Sequence, residues 1–165
     1  MDFRTMPGNT LNKTVILKPF DFVFEKTNDL TLWTRLFTEY ETVEILADGV
    51  DGVTFRLKTF AEGPRPSRTW ISTRKVERET RSVHGWRHLP SFPFSSMDIY
   101  WQYEALPNNA GVVLTWHQVF DVMPDSPLSK FEMEAFLNRS SIKQLAHIKQ
   151  FLETWNVHAQ KPVTQ

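Results

Sequence analysis

The stretch Trp70-Ile71-Ser72-Thr73-Arg74 sets a large ring, a hydroxyl and a cation within five residues. On a strand, side chains alternate between faces, so Trp70, Ser72 and Arg74 would share one side and Ile71 and Thr73 the other. If Trp70 faces inward, Ser72 and Arg74 do too; if that face is outside, Arg74 is a solvated surface residue. Both readings are open on these residues alone. An inward arginine needs a carboxylate, a carbonyl-rich ligand or a cavity mouth beside it. A cation fixed in such a place could stabilise the oxyanion of a developing enolate or phenolate. Tyr40 is a candidate proton donor, the alternative being a tyrosine packed by its ring. Gln118 adds an amide to a face otherwise made of Leu114, Trp116 and Phe120.

Other chemistries find less support. His84 and His88 are four apart on a strand-like segment, where no helix brings them together as metal ligands. His117 alternates away from Trp116 and Gln118, and His147 and His158 lie on or beyond the last helix. No Gly-rich phosphate loop, G-x-S-x-G elbow or acidic pair at metal spacing occurs, and no metal is expected. Asn138-Arg139-Ser140 fits a glycosylation sequon, to which no role is attached.

The elements that must position these groups follow from the periodicity. Residues 12–18 read as a strand with Val15 and Leu17 on one face, and 19–27 as a short helix opened by Pro19. Asp29 caps a second short helix in which Leu30, Trp33 and Phe37 recur at helical spacing, with Tyr40 at its end. From residue 42 the period becomes two. Val53, Phe55 and Leu57 alternate with polar residues, and 69–76, 81–87, 96–106 and 112–121 read likewise as strands. Met97, Ile99, Trp101 and Tyr103 share a face of the fourth of these. Pro107-Asn108-Asn109-Ala110-Gly111 is a hairpin turn, since Asn and Gly tolerate positive φ.

The last segment is a long helix from 127 to about 156, with Ser126 as cap and Pro127 in its first turn. It would run on the order of 45 Å at about 1.5 Å per residue. One face carries Met133, Leu137, Ser141, Gln144, Ile148, Phe151 and Trp155. Ser141 and Gln144 interrupt the apolar stripe, and buried polar groups need partners. A water-filled or ligand-filled cavity between sheet and helix would supply them.

The bulk composition bounds the rest. The chain has 165 residues, 19 Lys+Arg against 19 Asp+Glu, and no cysteine. It fits one α+β domain over 1–165, with tails at about 1–8 and 158–165. Zero net charge gives no field for nucleic acid or an anionic membrane, and the lack of thiols excludes thiolate catalysis and Cys-ligated metals. With no secretion signal in residues 1–8 and no apolar run of about 20 residues, a cytoplasmic protein is expected. The 13 Phe, 6 Trp and 3 Tyr fit either a ring-rich core or a cavity lined for a flat or extended organic molecule.

T-N-D-L-T-L-W-T-R-L-F-T-E-Y (27–40), V-E-I-L (43–46), F-R-L-K-T (55–59) and W-I-S-T-R (70–74) together resemble the aromatase/cyclases of bacterial type II polyketide synthases, the tetracenomycin aromatase/cyclase in particular. P-F-S-S-M-D-I-Y-W-Q-Y (93–103) and W-H-Q-V-F-D-V-M-P (116–124) are similar to that family's later strands. The likeness runs from about residue 12 to 151. It implies a helix-grip fold of the START/Bet v 1-like kind: a curved antiparallel sheet around a long C-terminal helix, two short helices after the first strand, and an internal cavity.

It further implies a poly-β-ketone substrate borne by an acyl carrier protein, with intramolecular aldol closure of the first ring and dehydration, and no cofactor. Ketosynthase/chain-length factor and ketoreductase would be neighbours, and the protein a monomer or weak dimer. By matching position Arg74 would hold an enolate, Tyr40 would be its acid/base partner, and Ser72 and Gln118 would position carbonyls or water. Trp33, Phe37, Trp70, Phe94, Met97 and Trp101 would shape the cavity, with Asn138 and Gln144 joining the substrate-binding set. Arg35, Arg65 and Arg68 are candidates for carrier docking. The pattern departs from the family at Arg68, at the insertion within 86–97 and at Gln144. A non-catalytic carrier of lipid or quinone, or a scaffold for other synthase subunits, would use the same fold and gives no special reason for Arg74.

Overall fold

The computed structural model describes residues 6–156. His158, Pro162 and most of the expected tails lie outside the described residues, but Gly8 already belongs to the first strand. That strand, β1 (Gly8–Ile16), begins earlier than the expected residue 12. Gly8 lies flat on the ring of Phe120, where a Cβ would come within 2.6 Å of ring carbons. The inward face of β1 carries Thr10 and Ile16, whereas Val15 and Leu17, expected on one face, are both exposed.

Pro19 precedes α1 (Phe20–Thr27) as its N-cap residue. The Asp29 carboxylate then accepts a bond of 3.0 Å from the Thr31 amide and opens a single 3-10 turn, Leu30–Leu32, which runs into α2 (Trp33–Leu36). Phe37 is extended and ends this helix. Tyr40 therefore does not close a helix as expected but opens strand β2 (Tyr40–Gly49). The remaining strands are β3 (Gly52–Thr59), β4 (Thr69–Glu77), β5 (Ser82–Arg87), β6 (Phe94–Ala105) and β7 (Val112–Val122). Gly52, at φ 126°, makes the β2–β3 turn possible, since a Cβ there would sit 2.4 Å from the Arg74 carbonyl oxygen. Asn108 and Asn109 take φ of 60° and 56° in the β6–β7 turn, as their types predict.

All seven strands form one antiparallel sheet in the order β1-β7-β6-β5-β4-β3-β2. Register shifts in β2 and at the start of β6 mark bulges, which bend strands and help curve a sheet. Across its concave face lies α3 (Lys130–Glu153), 24 residues and hence about 36 Å long. Its cap is Ser129, not Ser126. Ser129 Oγ accepts from the Glu132 amide (3.2 Å) while the Glu132 carboxylate accepts from the Ser129 amide (3.1 Å). Ser126 instead donates to the Leu128 carbonyl in the turn before the helix. Met133, Leu137, Ser141, Gln144, Ile148 and Phe151 are buried beneath α3, as the stripe predicted.

The result is the α+β helix-grip arrangement, with α3 held by the sheet and α1 and α2 closing one end. Its apolar interior falls into two clusters. One centres on Phe20, Phe24, Leu36 and Tyr103; the other joins Phe94, Met97 and Phe120 to Met133 and Leu137. Side chains from both clusters border the cavity described next.

Candidate active site

Alternation along β4 turns Trp70, Ser72 and Arg74 to the concave face, which resolves the ambiguity of the sequence. Ser72 and Arg74 are 6% exposed and border a cavity of about 890 Å³, a volume that includes its open mouth. The space inside it that can hold the centre of a water-sized body is about 80 Å³, below the roughly 300–1,000 Å³ common to ligand sites. Five of the six tryptophans, Trp33, Trp70, Trp86, Trp101 and Trp116, line it. The aromatic content is thus concentrated in a cavity wall, while Phe20 and Phe24 pack the closed end.

Arg74 is the deepest charge. Its guanidinium carbon lies 4.8 Å from the centre of a Trp33 ring and 5.1 Å from that of Trp101, a cation–π contact on two indoles. Nη1 donates to Asn28 Oδ1 at 2.8 Å. Asn28 in turn donates to the Phe24 carbonyl and to the Tyr103 hydroxyl, which shares a 2.7 Å bond with Thr27. A chain of neutral groups therefore orients the cation. Nη2 is buried without a partner in the protein. Burial lowers the Arg74 pKa to about 10, against the opposing influence of the nearby Tyr103 and Tyr40 hydroxyls. The group is still charged at neutral pH.

Tyr40 stacks on Trp33 (6.0 Å, 16° between planes) and is buried. Burial pushes its phenol well above the usual value, and the neighbouring Glu39 adds to the shift, whereas Arg87 opposes it. The phenol therefore keeps its proton at neutral pH. Gln118 Oε1 accepts from Thr10 Oγ1 (2.9 Å) and Ser141 Oγ (3.2 Å). Gln144 accepts from the Thr38 amide and donates to its hydroxyl, both at 2.9 Å. Ser141 and Gln144 thus find their partners within the protein, where a water-filled or ligand-filled cavity was expected to supply them.

Trp33, Phe37, Trp70, Phe94, Trp101 and Gln118 line the cavity, together with Arg74, Tyr40 and Ser72. Three expected contributors do not. Met97 packs into the core with Phe120 and Met133, because its side chain points past the cavity floor into that cluster. Asn138 accepts a 2.9 Å bond from Asn12 and ties α3 to β1. Gln144 faces a neighbouring groove, where its amide fastens α3 to the segment before β2. That groove is also lined by Arg65, Arg68, Arg139 and Lys143, and it meets the cavity at Glu39, Arg68, Phe136 and Ser140. Arg35 lies at neither place; it covers the Phe151 ring at 5.3 Å.

Two charged residues on the cavity wall were not singled out from the sequence. Arg87 pairs across strands with Ser72 and lies 4.0 Å over Trp70 and 4.9 Å over Phe94. Its Nε is buried without a protein partner, and burial lowers its pKa to about 10. Alternation from the buried Val83 and Gly85 would have turned Arg87 inward. Glu39 stands beside Tyr40 at the mouth; no periodic signal marks a residue in the connection between helix and strand.

Among the described residues, four buried side-chain nitrogens lack a hydrogen-bond partner: Arg74 Nη2, Arg87 Nε, Trp101 Nε1 and Trp116 Nε1. All four belong to the cavity wall, and all are N–H donors. A family model described as "Polyketide cyclase / dehydrase and lipid transport" matches residues 13–153. The chain belongs to this polyketide cyclase family.

It is 36% identical over 148 residues to a protein of Streptomyces cyaneus assigned as a polyketide cyclase, covering 90% of this chain and 95% of that one. A protein of Streptomyces halstedii assigned likewise is 40% identical over 111 residues, 67% of this chain and 99% of the other. Among solved structures, the ZhuI aromatase/cyclase of Streptomyces sp. R1128 superposes with a TM-score of 0.81 at 19% identity, over 94% of this chain and 99% of that one. The di-domain aromatase/cyclase BexL gives 0.77 at 18% identity over 90% of this chain, which spans 47% of the BexL chain. A START superfamily protein of Mycobacterium smegmatis gives 0.67 at 13% identity, over 93% of this chain and 99% of that one. At these identities the superpositions show the shared fold.

Proposed function

We propose that this cyclase-family chain is an aromatase/cyclase for a poly-β-ketone tethered to an acyl carrier protein, closing its first ring by intramolecular aldol addition and promoting dehydration to an aromatic ring. The observation that carries this reading is the set of four unpartnered donors. A buried polar group without a partner costs roughly 1–3 kcal/mol. A wall that leaves only donors unsatisfied complements a ligand rich in acceptors, and a chain of alternating ketones offers acceptors at every second carbon.

The chemistry asks little beyond this. Arg74 holds the oxygen on which enolate charge develops, in a site where low dielectric strengthens the contact. Tyr40 donates a proton to the alkoxide formed at the attacked carbonyl. Ser72, Gln118 and Arg87 hold further carbonyls, and the indole walls keep the chain folded so that the reacting carbons stay in contact. Enolisation and aldol addition need an acid, a base and a cation, all of which side chains supply, so the reading calls for no cofactor. The carrier protein would approach the mouth beside Arg65 and Arg68, with ketosynthase/chain-length factor and ketoreductase upstream in the cytoplasm. A passive carrier could also fill these donors with a lipid carboxylate or quinone oxygens, and product formation is what separates it from a cyclase.

Reconstitution with a minimal polyketide synthase tests the proposal. Adding the chain should redirect products toward one aromatic first ring. If the product distribution is the same with and without it, the enzyme reading fails.

A further inference from the structure

Aldol closure begins with removal of a proton from carbon, and neither Arg74 nor Tyr40 can take it. Arg74 is protonated at neutral pH, and the Tyr40 phenol is held in its neutral form by burial. Among the described residues, the cavity wall contains no histidine and a single carboxylate, that of Glu39. We infer that Glu39 is the general base of this site and forms a proton-passing dyad with Tyr40 where the cavity opens into the groove. The inference rests on the cyclase reading above.

The geometry fits the role. Glu39 lies between α2 and β2, and its carbonyl accepts a 3.0 Å bond from the Phe60 amide, which fixes the backbone. It adjoins Tyr40 in the chain, both residues line the cavity, and its side chain borders the groove as well. Burial raises its pKa, an effect larger than the opposing influence of Arg68 and Arg87. A carboxylate whose proton affinity is raised is a better base than one in water. Around it stand Tyr40 from β2, Arg65 and Arg68 from the segment before β4, Arg87 from β5, and Arg139 and Lys143 from α3.

The proton inventory closes on this pair. The Glu39 carboxylate takes a proton from a methylene between two ketones, and the C–H electron pair becomes an enolate whose oxygen faces Arg74. The enolate carbon bonds to the second carbonyl carbon, and the displaced C=O pair resides on oxygen. That oxygen takes the Tyr40 proton while Tyr40 recovers the one held by Glu39. The β-hydroxyketone is formed with the enzyme in its starting state. In dehydration Glu39 takes a second α-proton, and the hydroxyl leaves with a proton passed through Tyr40, so that one water is lost.

The test compares wild type with Glu39→Gln and Glu39→Asp in the reconstituted synthase, with quenching of tryptophan fluorescence by 1-naphthol as a binding readout. Glu39→Gln should slow first-ring formation about a hundredfold or more, with naphthol affinity changed less than about twofold. The wild-type rate should rise with pH through the ionisation of Glu39; Glu39→Asp should keep that limb at a lower rate, and Glu39→Gln should lose it. An unchanged rate and pH profile in Glu39→Gln overturns the inference. So does a rate loss matched by an equal loss of naphthol binding, which would mean that Glu39 only positions Arg68 and Arg87. Thermal melts verify folding, and Glu39→Asp supplies the decision if the amide variant does not fold. A wild-type chain that leaves product distribution untouched would instead sink the cyclase reading itself, and this inference with it.

Discussion

The two faces of the sheet treat charge in opposite ways. On the convex face cations meet anions on the same or a neighbouring strand: Arg56 with Glu44 at 2.7 Å, Lys58 with Glu41 at 3.2 Å, and Lys75 with Glu77 at 3.4 Å. On the concave face Arg74 receives an amide oxygen and two indoles, and Arg87 two rings. Of the 19 carboxylates in the chain, Glu39 is the one that the described residues place on the cavity wall, where it acts on Arg87 and leaves Arg74 without an anion. The water-exposed pairs gain little, about 0–1 kcal/mol each, whereas a buried unpaired cation is costly. The costly arrangement is the one found at the site, and the ligand is what can offset it.

The largest expected effect comes from removing the concave-face cation. Arg74→Met should lower cyclisation by about 10²–10³-fold, the range for loss of an oxyanion partner. The same change should leave stability unchanged or raise it by on the order of 1–3 kcal/mol, as when buried charges yield to apolar side chains. The folded pKa of about 10 lies below the ordinary arginine value, so the cost is fully present below pH 10 and fades as pH rises above it. Denaturant melts at pH 7 check the sign. A variant that loses both activity and several kcal/mol of stability would place Arg74 in the fold's support and erase the contrast between the faces.

Tyr40→Phe comes next, with a rate loss of about 10²-fold and near-normal binding of 1-naphthol, since the ring and its stack on Trp33 persist. A smaller effect concerns stability and pH at Glu39. Its folded pKa lies above the ordinary carboxylate value of 4.5, so its favourable contribution is complete below that value and is lost as pH rises through the folded pKa. Melting temperatures of Glu39→Gln and wild type should therefore diverge in favour of the variant as pH increases through this window. Convergence instead would indicate that Arg68 and Arg87 dominate over burial.

Residues whose burial follows a strict period were legible from sequence. Leu114, Trp116, Gln118 and Phe120 face inward as alternation demanded, and so do Trp101 and Tyr103. The choice of face for Arg74 was not, because alternation fixes partners and not sides. Boundaries were misread where a local group outcompeted a stronger type signal. Ser129 caps α3 because Glu132 completes a reciprocal pair, which Ser126 with Pro127 lacks. Met97, Asn138 and Gln144 failed as cavity residues because position on an inward element does not say whether a side chain ends in space, in core or on another strand. Glu39 sits in a connection with no period at all.

Trp101→Phe is milder than the charge variants. It keeps a ring against Arg74 and removes one of the four unpartnered donors. Losing one neutral hydrogen bond to a ligand carbonyl is worth about 1 kcal/mol, so KM should rise about fivefold with kcat nearly constant. Stability should not fall by the amount expected of a lost internal hydrogen bond, since none is made. A drop in kcat with unchanged KM would mean that Trp101 acts on the transition state and not on substrate alignment.

The smallest effect is expected on the convex face, and it is the sharpest control. Arg56→Gln and Arg87→Gln are the same chemical change on β3 and β5. The Arg56 and Glu44 side chains are 42% and 61% exposed, so their pair is screened by salt and worth at most about 1 kcal/mol. Arg56→Gln should leave both product distribution and naphthol binding as in wild type, with any stability change vanishing in high salt. Arg87→Gln removes a cation from the cavity wall and should weaken substrate use while sparing or raising stability. The two substitutions alter net charge equally, so any long-range effect of total charge cancels between them. If Arg56→Gln disturbs cyclisation as much as Arg87→Gln does, the faces are not functionally distinct, and catalysis depends on the sheet's overall charge and not on the donors turned into the cavity.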